Sequence, residues 1–334
     1  MWPPGDADHL SAGGALRAPR SLRQASVRAP DRAVTDYHIE AGGRTVKITH
    51  PDKVLFPADG LTKRDLAEYY LRVAEVMLPH IRDRPLTQQR FPDGIDGTDF
   101  WHKQIPGYFP AWIERAEVET SKGPQQQVVA NEPATLGYLV NQNCITPHVW
   151  LSRRDRLHRP DLLVFDLDPA DQRDFPTVRA GARTLRAILE DVGLVPYVKT
   201  TGSKGLHITV PIVPTSFERV QAMAARVAEL LVADSPDRFT SEFYKEKRRG
   251  RVFVDINRNA YGQTAVPPYA VRARPGAPVA TPVRWDELGR IGPTRFSVRN
   301  LFRRLGRSGD PWRDMQRHAA SLPEAAARLG SADG

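Results

Sequence analysis

Two carboxylates stand one residue apart at the end of an apolar run. The run Leu-Leu-Val-Phe covers residues 162–165, and Asp166 and Asp168 follow it. A short apolar run bounded by Asp and Pro is typical of a buried strand, on which alternate side chains share a face. The two carboxylates would therefore repel each other unless a cation lies between them. The pattern favours a divalent metal site as much as it favours a strand that ends in a solvated Asp-Pro turn.

A third carboxylate, Asp255, follows another apolar stretch, Val-Phe-Val at residues 252–254. Carboxylate oxygens together with phosphates and water are the ligands that Mg²⁺ and Mn²⁺ prefer. Two such ions stabilise both the attacking and the leaving oxygen of an in-line phosphoryl transfer. If the three carboxylates meet over one sheet face, they could therefore hold two ions for this chemistry.

A glycine-rich turn, Thr-Gly-Ser-Lys-Gly at residues 201–205, joins two predicted strands. Its backbone N–H groups, together with polar side chains, could cradle a triphosphate. The spacing is not that of a Walker A loop, and a strand rather than a helix follows. Such a turn taken alone is more often only a hairpin. The polar side chains in question are Thr201, Ser203, Lys204 and, at the start of the next strand, His207.

The elements that must position these residues alternate irregularly between strands and helices. After residue 145 the predicted order is strand, strand, helix, strand, strand, helix, strand, and the tight turn at 201–205 requires an antiparallel pair. We therefore expect an α+β fold with a mixed or antiparallel catalytic sheet, flanked by helices, in two closely packed subdomains. Residues 1–35 are predicted to be a flexible extension, 36–305 the catalytic domain, and 306–334 a C-terminal tail or peripheral helix.

The net charge of +9 and the pI of about 9.8 favour a polyanionic partner, although an Arg-rich composition alone is weak evidence. The single cysteine, Cys144, excludes a disulfide framework or a cysteine zinc cluster. No apolar run approaches the length of a membrane span, and the N-terminus has no signal-peptide pattern. A cytoplasmic protein without a membrane partner is expected.

Aromatic and basic residues outside this sheet also suit a nucleic acid. Phe100 and Trp101 precede His102 and Lys103, so the rings could stack on bases while the cations meet phosphate. Adjacent strand residues face opposite ways, however, so one ring in the core and one outside is an equal alternative.

Three motifs together resemble the signature of the archaeo-eukaryotic primase superfamily. The segments at 165–169, 201–207 and 252–259 are most similar to the polymerase domain of bacterial ligase D and its stand-alone primase-polymerase relatives. The resemblance covers roughly residues 45–305 and extends to the segments at 50–57, 84–87, 92–97, 100–104 and 269–279.

The resemblance implies a role for each matching residue. Asp166, Asp168 and Asp255 would hold two ions, commonly Mn²⁺ and otherwise Mg²⁺. Lys53 and Lys63, each of which alone would suggest solvated surface, would grip the 5′-phosphate across a gap. Phe100 and Trp101 would pack on template bases. The nucleotide triphosphate would be bound by Thr201, Ser203, Lys204, His207, Arg272 and His148.

The implied activity is that of a template-dependent nucleotidyltransferase that extends primers or fills short gaps in DNA repair, using NTPs or dNTPs and accepting ribonucleotides readily. It would act as a monomer on gapped or primer-template DNA at the nucleoid. The chain length suggests a stand-alone enzyme that works with a separate DNA ligase and end-binding or repair proteins. The ligase D branch usually has a further basic residue in the segment that matches Gln88-Gln89-Arg90, and two of these positions are Gln here, which puts strong 5′-phosphate recognition in question.

Three other interpretations of the Asp-x-Asp motif fit the sequence less well. A haloacid-dehalogenase phosphohydrolase would have Thr-Val or Thr-Leu where Pro169-Ala170-Asp171 stand. A glycosyltransferase that binds a metal and a sugar nucleotide agrees less well with the net positive charge and with the glycine-rich turn that contains Lys204. A DNA end-binding module without turnover would have no reason to keep all three acids.

Overall fold

Two sheets, each built mainly of antiparallel strands, position the predicted site. The structure is a computed structural model and describes residues 36–331; the extension predicted for residues 1–35 lies outside the described residues. The helices are α1 (Lys63–Ile81), α2 (Pro133–Asn141), α3 (Phe175–Asp191), α4 (Phe217–Asp234), α5 (Leu301–Ser308) and α6 (Leu322–Ser331).

The strands of the first large sheet precede residue 160, except for the short strand Thr264–Ala265, and those of the second large sheet all follow it. The earlier strands are β1 (Tyr37–Ala41), β2 (Arg44–Ile48), β3 (Val54–Phe56), β4 (Leu61–Thr62), β5 (Pro85–Arg90), β6 (Phe100–His102), β7 (Arg115–Val118), β8 (Gln125–Val129) and β9 (Cys144–Trp150). The later strands are β10 (Leu162–Asp168), β11 (Tyr197–Thr200), β12 (Leu206–Pro211), β13 (Phe239–Thr240), β14 (Val252–Asp255), β15 (Thr264–Ala265) and β16 (Pro282–Val283).

The first sheet has the order β15-β9-β5-β8-β7, with β6 paired to β5, and it packs against α1 and α2. Helix α1 begins at a capping box, in which Thr62 accepts a hydrogen bond from the Asp65 backbone and the Asp65 carboxylate accepts one from Thr62. Its apolar stripe, which includes Tyr70 and Met77, is buried in a shared core with Leu86 of β5.

The second sheet has the order β13-β14-β10-β12-β11-β16, and only the β13–β14 pair is parallel. Helices α3 and α4 pack on one face, where Phe165 and Leu167 of β10 are fully buried. Strands β11 and β12 flank the glycine-rich turn as an antiparallel pair, as predicted. Because side chains alternate on a strand, burial of Phe165 and Leu167 directs Asp166 and Asp168 to the opposite face. The predicted α+β fold is therefore confirmed.

The segment from residue 266 to residue 283 is irregular. It forms isolated bridges, Val271 to Val279 and Pro278 to Ser297, before β16. Proline cannot donate to a ladder, and this segment holds five prolines, at positions 267, 268, 275, 278 and 282. The result is a folded-back loop in which the Arg272 backbone donates to the Pro278 carbonyl at 2.8 Å.

The C-terminal segment packs more deeply than a peripheral tail would. Trp312, Met315 and Leu322 are buried, and the Trp312 indole donates to the Val198 carbonyl at 3.2 Å. The domain boundary at residue 305 stays a prediction, but the described residues beyond it contribute to the core. Among the helices of residues 36–331, none is long and apolar enough to cross a membrane.

Candidate active site

Four polar side chains form one row across the second sheet. Asp166 is the register partner of both Asp255 on β14 and His207 on β12, and His207 is the register partner of Lys199 on β11. Directly paired residues of antiparallel strands point to the same face. The row Asp255–Asp166–His207–Lys199 therefore lies on the face away from α3 and α4. Asp168, two residues along β10, joins it on the same face.

Each carboxylate of this face has a cationic or titratable neighbour. The His207 Nε2 lies 3.3 Å from Asp166 Oδ2, and the Arg258 Nε lies 3.7 Å from Asp255 Oδ2. The Arg248 guanidinium lies 3.9 Å from Asp168 Oδ2. Neither Arg258 nor Arg248 was assigned from the sequence, although Arg258 follows Asp255 by three residues and Arg248 belongs to a basic run.

The pKa values of the two acids of β10 are shifted in opposite directions. Burial and the nearby Asp166 raise the pKa of Asp168 above its usual range. Burial also opposes ionisation of Asp166, but His207 and Arg258 outweigh it, so the Asp166 pKa lies below its usual range. A raised pKa beside a lowered one is the consequence expected when like charges share a site, and a cation between them would relieve it.

Among the described residues, no group of three His, Cys, Asp or Glu side chains converges closely enough to hold a metal ion alone. This does not conflict with the donor chemistry, because Mg²⁺ is usually held by one or two carboxylates plus substrate phosphates. Asp166 and Asp168 share a face, and Asp255 is paired beside Asp166. These hard oxygen donors therefore fit ions that substrate phosphates would help to bind.

The glycine-rich turn closes against the end of β10. A Cβ atom at Gly205 would lie 2.0 Å from the Leu167 carbonyl oxygen, and Gly202 has a φ of +66°. The Thr201 hydroxyl accepts from the Gly205 backbone at 3.2 Å and is buried. This hydroxyl, predicted to face the triphosphate, is thus engaged within the turn. Lys204 reaches the Ala170 carbonyl with its ammonium, at 2.9 Å.

A cavity of about 230 Å³ opens above this face. It gathers most of the residues predicted to bind metal or nucleotide, whereas Asp255 is not part of its lining. It also brings in Arg258 and Arg274, which sequence reasoning did not assign. The predicted residues that line it are His148, Asp166, Asp168, Thr201, Ser203, Lys204, His207 and Arg272.

Arg272 and His148 approach the cavity from outside the second sheet. The Arg272 guanidinium donates to the Thr201 carbonyl at 2.9 Å, and burial together with Arg274 lowers its pKa to about 10. His148 lies on β9 of the first sheet, with its ring 4.7 Å from that of Trp101. Burial and Arg272 lower the pKa of His148 well below its usual value, so its imidazole is neutral.

Lys199 and His207 are almost fully buried, at 2% and 3% exposure. Burial lowers the pKa of Lys199 to about 7, against the attraction of Asp166. Burial and the charge of Lys199 lower the pKa of His207 to about 4. Lys199 was not assigned from the sequence, although a lysine in the middle of a short apolar strand was a usable signal.

The aromatic pair stands on β6, at the edge of the first sheet. Phe100 is 42% exposed and Trp101 is 52% exposed, so neither ring lies in the core. The Arg90 guanidinium lies 5.3 Å from the Phe100 ring centre. Both rings are therefore available for stacking, and the alternative of one buried ring is wrong.

Lys53, Lys63 and Arg90 form a basic cluster beside the first sheet. The Lys63 ammonium donates to the Thr49 carbonyl at 3.0 Å, and burial, Lys53 and Arg90 together lower its pKa to about 8. Lys53 contacts the Pro92 carbonyl and lies 3.9 Å from Asp93 Oδ1. Arg90, in the segment Gln88-Gln89-Arg90, is thus a third cation of this cluster.

Comparison with known proteins identifies the family. A family model described as the LigD primase-polymerase domain matches residues 62–312. The multifunctional non-homologous end joining protein LigD of Mycolicibacterium smegmatis is 35% identical over 79% of this chain. The multifunctional non-homologous end joining DNA repair protein LigD of Mycobacterium tuberculosis is 37% identical over 81% of it. The chain spans 35% and 37% of the length of these two relatives.

A solved structure agrees with the sequence relatives. The polymerase domain from Mycobacterium tuberculosis ligase D in complex with DNA superposes with a TM-score of 0.76 at 35% identity, covering 82% of this chain and 99% of that one. The resemblance found in the three motifs is therefore confirmed. The chain belongs to the LigD primase-polymerase domain family, a family of metal-dependent nucleotidyltransferases.

Proposed function

We propose that this chain is a template-dependent polymerase that extends primers and fills short gaps in DNA during end joining. The observation that carries the proposal is the pairing of Asp166 with Asp255 in one row, beside a cavity lined by Lys204, Arg258 and Arg272. Carboxylates beside a cationic cavity suit metal-bound triphosphate. The similarity to non-homologous end joining proteins supports the repair context.

Asp166, Asp168 and Asp255 would hold two divalent ions, Mn²⁺ or Mg²⁺. Bound there, two ions would lower the pKa of the primer 3′-hydroxyl and neutralise charge on the triphosphate. Asp166, whose pKa is lowered, supplies a carboxylate that is already ionised at neutral pH. Asp168, whose pKa is raised by burial and by Asp166, would gain most from a cation.

The triphosphate would lie in the cavity above the glycine-rich turn. Lys204 and Arg272 bring positive charge to it, and Ser203 brings a hydroxyl. His207, whose pKa is lowered to about 4 by burial and Lys199, would donate to phosphate as a neutral imidazole. Thr201 would act by holding the turn closed, since its hydroxyl accepts from the Gly205 backbone.

DNA would bind on the side of the protein formed by the first sheet. There, one group of residues would stack on bases and a different group would bind phosphate. Phe100 and Trp101 are exposed for stacking on template bases, which is sequence-tolerant because every base has a π-face. Lys53, Lys63 and Arg90 would bind the 5′-phosphate on the far side of a gap. Repulsion from Lys53 and Arg90 contributes to the lowered pKa of Lys63, and a phosphate would relieve that repulsion.

We propose further that ribonucleotides are accepted readily and that the protein acts as a monomer at the nucleoid. His148 lines the cavity from the first sheet and would contact the incoming nucleotide. A DNA ligase activity would then seal the nick that a filled gap leaves, and end-binding or repair proteins would deliver the substrate.

The test is primer extension across a short gap, with and without a 5′-phosphate on the downstream strand, using NTPs and dNTPs in parallel with Mn²⁺ or Mg²⁺. We expect metal-dependent, templated addition that the 5′-phosphate stimulates. DNA binding without any addition under these conditions would instead indicate the end-binding module, and phosphate release without addition would indicate a phosphohydrolase.

A further inference from the structure

A buried lysine stands at the end of the row that holds the carboxylates. Lys199 is 2% exposed, and its ammonium has no hydrogen-bond partner among the described residues. Burial of an unpaired ammonium is costly, so a lysine at this place needs a compensating partner. Its register partner on β12 is His207.

His207 has two ring nitrogens in different surroundings. Its Nε2 lies 3.3 Å from Asp166 Oδ2. Its Nδ1 is buried and has no hydrogen-bond partner within residues 36–331. One side of the ring thus faces the metal and nucleotide cavity, and the other side is left with an unsatisfied nitrogen.

A small second cavity lies beside the row on the same face of the sheet, and both Lys199 and His207 line it. Its volume is about 30 Å³, and its lining is largely apolar. The polar side chains that line it are those of Lys199, His207, Thr209 and His80, and the His80 Nε2 is already hydrogen-bonded to Asp310 at 2.7 Å. About 10–15 Å³ is enough for one buried water, which needs two to four polar partners. The cavity therefore has the room and the polar groups for an ordered water between Lys199 and His207.

The chemistry of the two groups fixes the direction of the hydrogen bonds. An ammonium only donates, so a water beside Lys199 accepts from it and turns its own hydrogens away. That water donates to His207 Nδ1, which must then be the unprotonated nitrogen. In a neutral imidazole the proton consequently sits on Nε2, the nitrogen that faces Asp166.

We propose that Lys199 is a positioning residue, which holds His207 in the Nε2–H tautomer through an ordered water in this second cavity. The Nε2–H can donate to the Asp166 carboxylate and, in the proposed function on which this part rests, to a phosphate oxygen of the nucleotide. With the proton on Nδ1 instead, Nε2 would present a lone pair to oxygen atoms and repel both partners. Lys199 itself touches neither metal nor nucleotide.

The first experiment is ¹⁵N NMR of the His207 ring in the full chain without metal or nucleotide, with His207→Gln used to assign its resonances. Spectra are recorded over a pH series, and the tautomer is assigned where the ring is neutral. We expect a neutral ring with the proton on Nε2. A proton on Nδ1 in the wild-type protein would overturn the proposal, whatever the protein's activity.

The second experiment compares Lys199→Met with Lys47→Met, which removes an exposed lysine paired to Asp36. We expect the Lys199 variant to show a mixture of His207 tautomers and a KM for the nucleotide raised by roughly tenfold, with kcat changed less. The Lys47 variant should match the wild type in both. An unchanged tautomer in a folded Lys199→Met protein would overturn the proposal. A wild-type protein that shows the Nε2–H tautomer but adds no nucleotide to a primer would contradict the proposed function and leave the role of Lys199 intact.

Discussion

Asp166 and Asp255 are register partners on neighbouring antiparallel strands, although 89 residues separate them in the sequence. Side chains of directly opposed residues lie close together on one face of a sheet. The pairing therefore creates a dense negative charge where β14 ends beside β10. The neighbouring guanidinium groups of Arg248 and Arg258 partly neutralise it in the protein alone.

Substitution of Gly205 by alanine tests the fit of the glycine-rich turn. The added methyl group would meet the Leu167 carbonyl oxygen at 2.0 Å, so the turn must move away from β10. We expect a loss of about 1–3 kcal/mol in the free energy of unfolding and a raised KM for the nucleotide. Urea denaturation and steady-state kinetics measure the two effects.

The matched control is Gly107→Ala, since nothing lies within 4 Å of a Cβ atom at that position. It should change neither quantity. A Gly205→Ala protein with wild-type stability and KM would show that the turn does not need its close approach to β10.

The exposed aromatic pair should contribute to DNA affinity. Replacing Phe100 or Trp101 by alanine removes a stacking surface, which is worth about 1–3 kcal/mol per base. We expect the Kd for gapped DNA to rise by roughly five-fold to more than a hundred-fold, with little loss of folding stability because both rings are exposed. Fluorescence anisotropy with labelled DNA measures the change. Val213→Ala, at another exposed apolar side chain, should bind as the wild type does, and equal binding by the aromatic variants would rule out the stacking role.

The basic cluster should bind a 5′-phosphate in a pH-dependent way. The pKa of Lys63 is lowered to about 8 by burial, Lys53 and Arg90, so the ammonium is present below that pH and lost above it. A bound phosphate favours the ammonium, so the preference for 5′-phosphorylated gaps should weaken at a pH of about 8 or somewhat higher. Competition binding of phosphorylated and unphosphorylated gaps over this range measures it.

Lys63→Ala should abolish that preference and its pH dependence, and it should reduce the slope of log K against log salt by about 1. Lys47→Ala, at an exposed lysine paired to Asp36, should leave the preference intact. A preference that survives in Lys63→Ala would place the phosphate elsewhere.

The buried ion pairs of Asp161 should anchor the start of β10. Asp161 lies 2.7 Å from Arg84 and 2.8 Å from Arg153, and Arg84 is fully buried. Asp161→Asn should therefore cost about 3–5 kcal/mol in the free energy of unfolding, because it leaves a buried guanidinium uncompensated. Asp237→Asn, at an exposed acid, is the control.

The contribution of Asp161 should also depend on pH. Arg84 and Arg153 outweigh the effect of burial and lower the Asp161 pKa, so the unfolded state binds its proton more tightly. The stabilisation is then fully present above the unfolded pKa of about 3.9 and is lost as the pH falls through the lower folded value. Unfolding curves of wild type and Asp161→Asn should converge in acid, and a constant difference down to low pH would contradict this assignment.

Local pattern was enough to predict part of this site. Alternation along a strand placed Asp166 and Asp168 on one face, and the tight turn at 201–205 required the antiparallel pair that β11 and β12 form. The pairing of Asp166 with Asp255 was not accessible in the same way, because sheet register depends on how distant strands pack. The same reason hid Lys199, whose partner His207 is set by register.

Other features depended on details that residue types do not encode. The Thr201 hydroxyl closes its own turn, which follows from the backbone geometry around Gly205 rather than from the motif. Arg90 joins Lys53 and Lys63 only through the folding of β5, so the two glutamines before it made the segment look less basic than the cluster is.

The most direct test of the proposed site is single-turnover nucleotide incorporation on a gapped duplex, measured for Asp166→Asn, Asp168→Asn and Asp255→Asn beside Asp237→Asn. Asparagine keeps the shape of each side chain and removes the charge that a hard cation needs. We expect the three site variants to lose at least about 100-fold in rate while their DNA affinity holds, and Asp237→Asn to react as the wild type does. Incorporation at the wild-type rate in Asp166→Asn or Asp255→Asn would contradict the assignment of these paired carboxylates as the metal site.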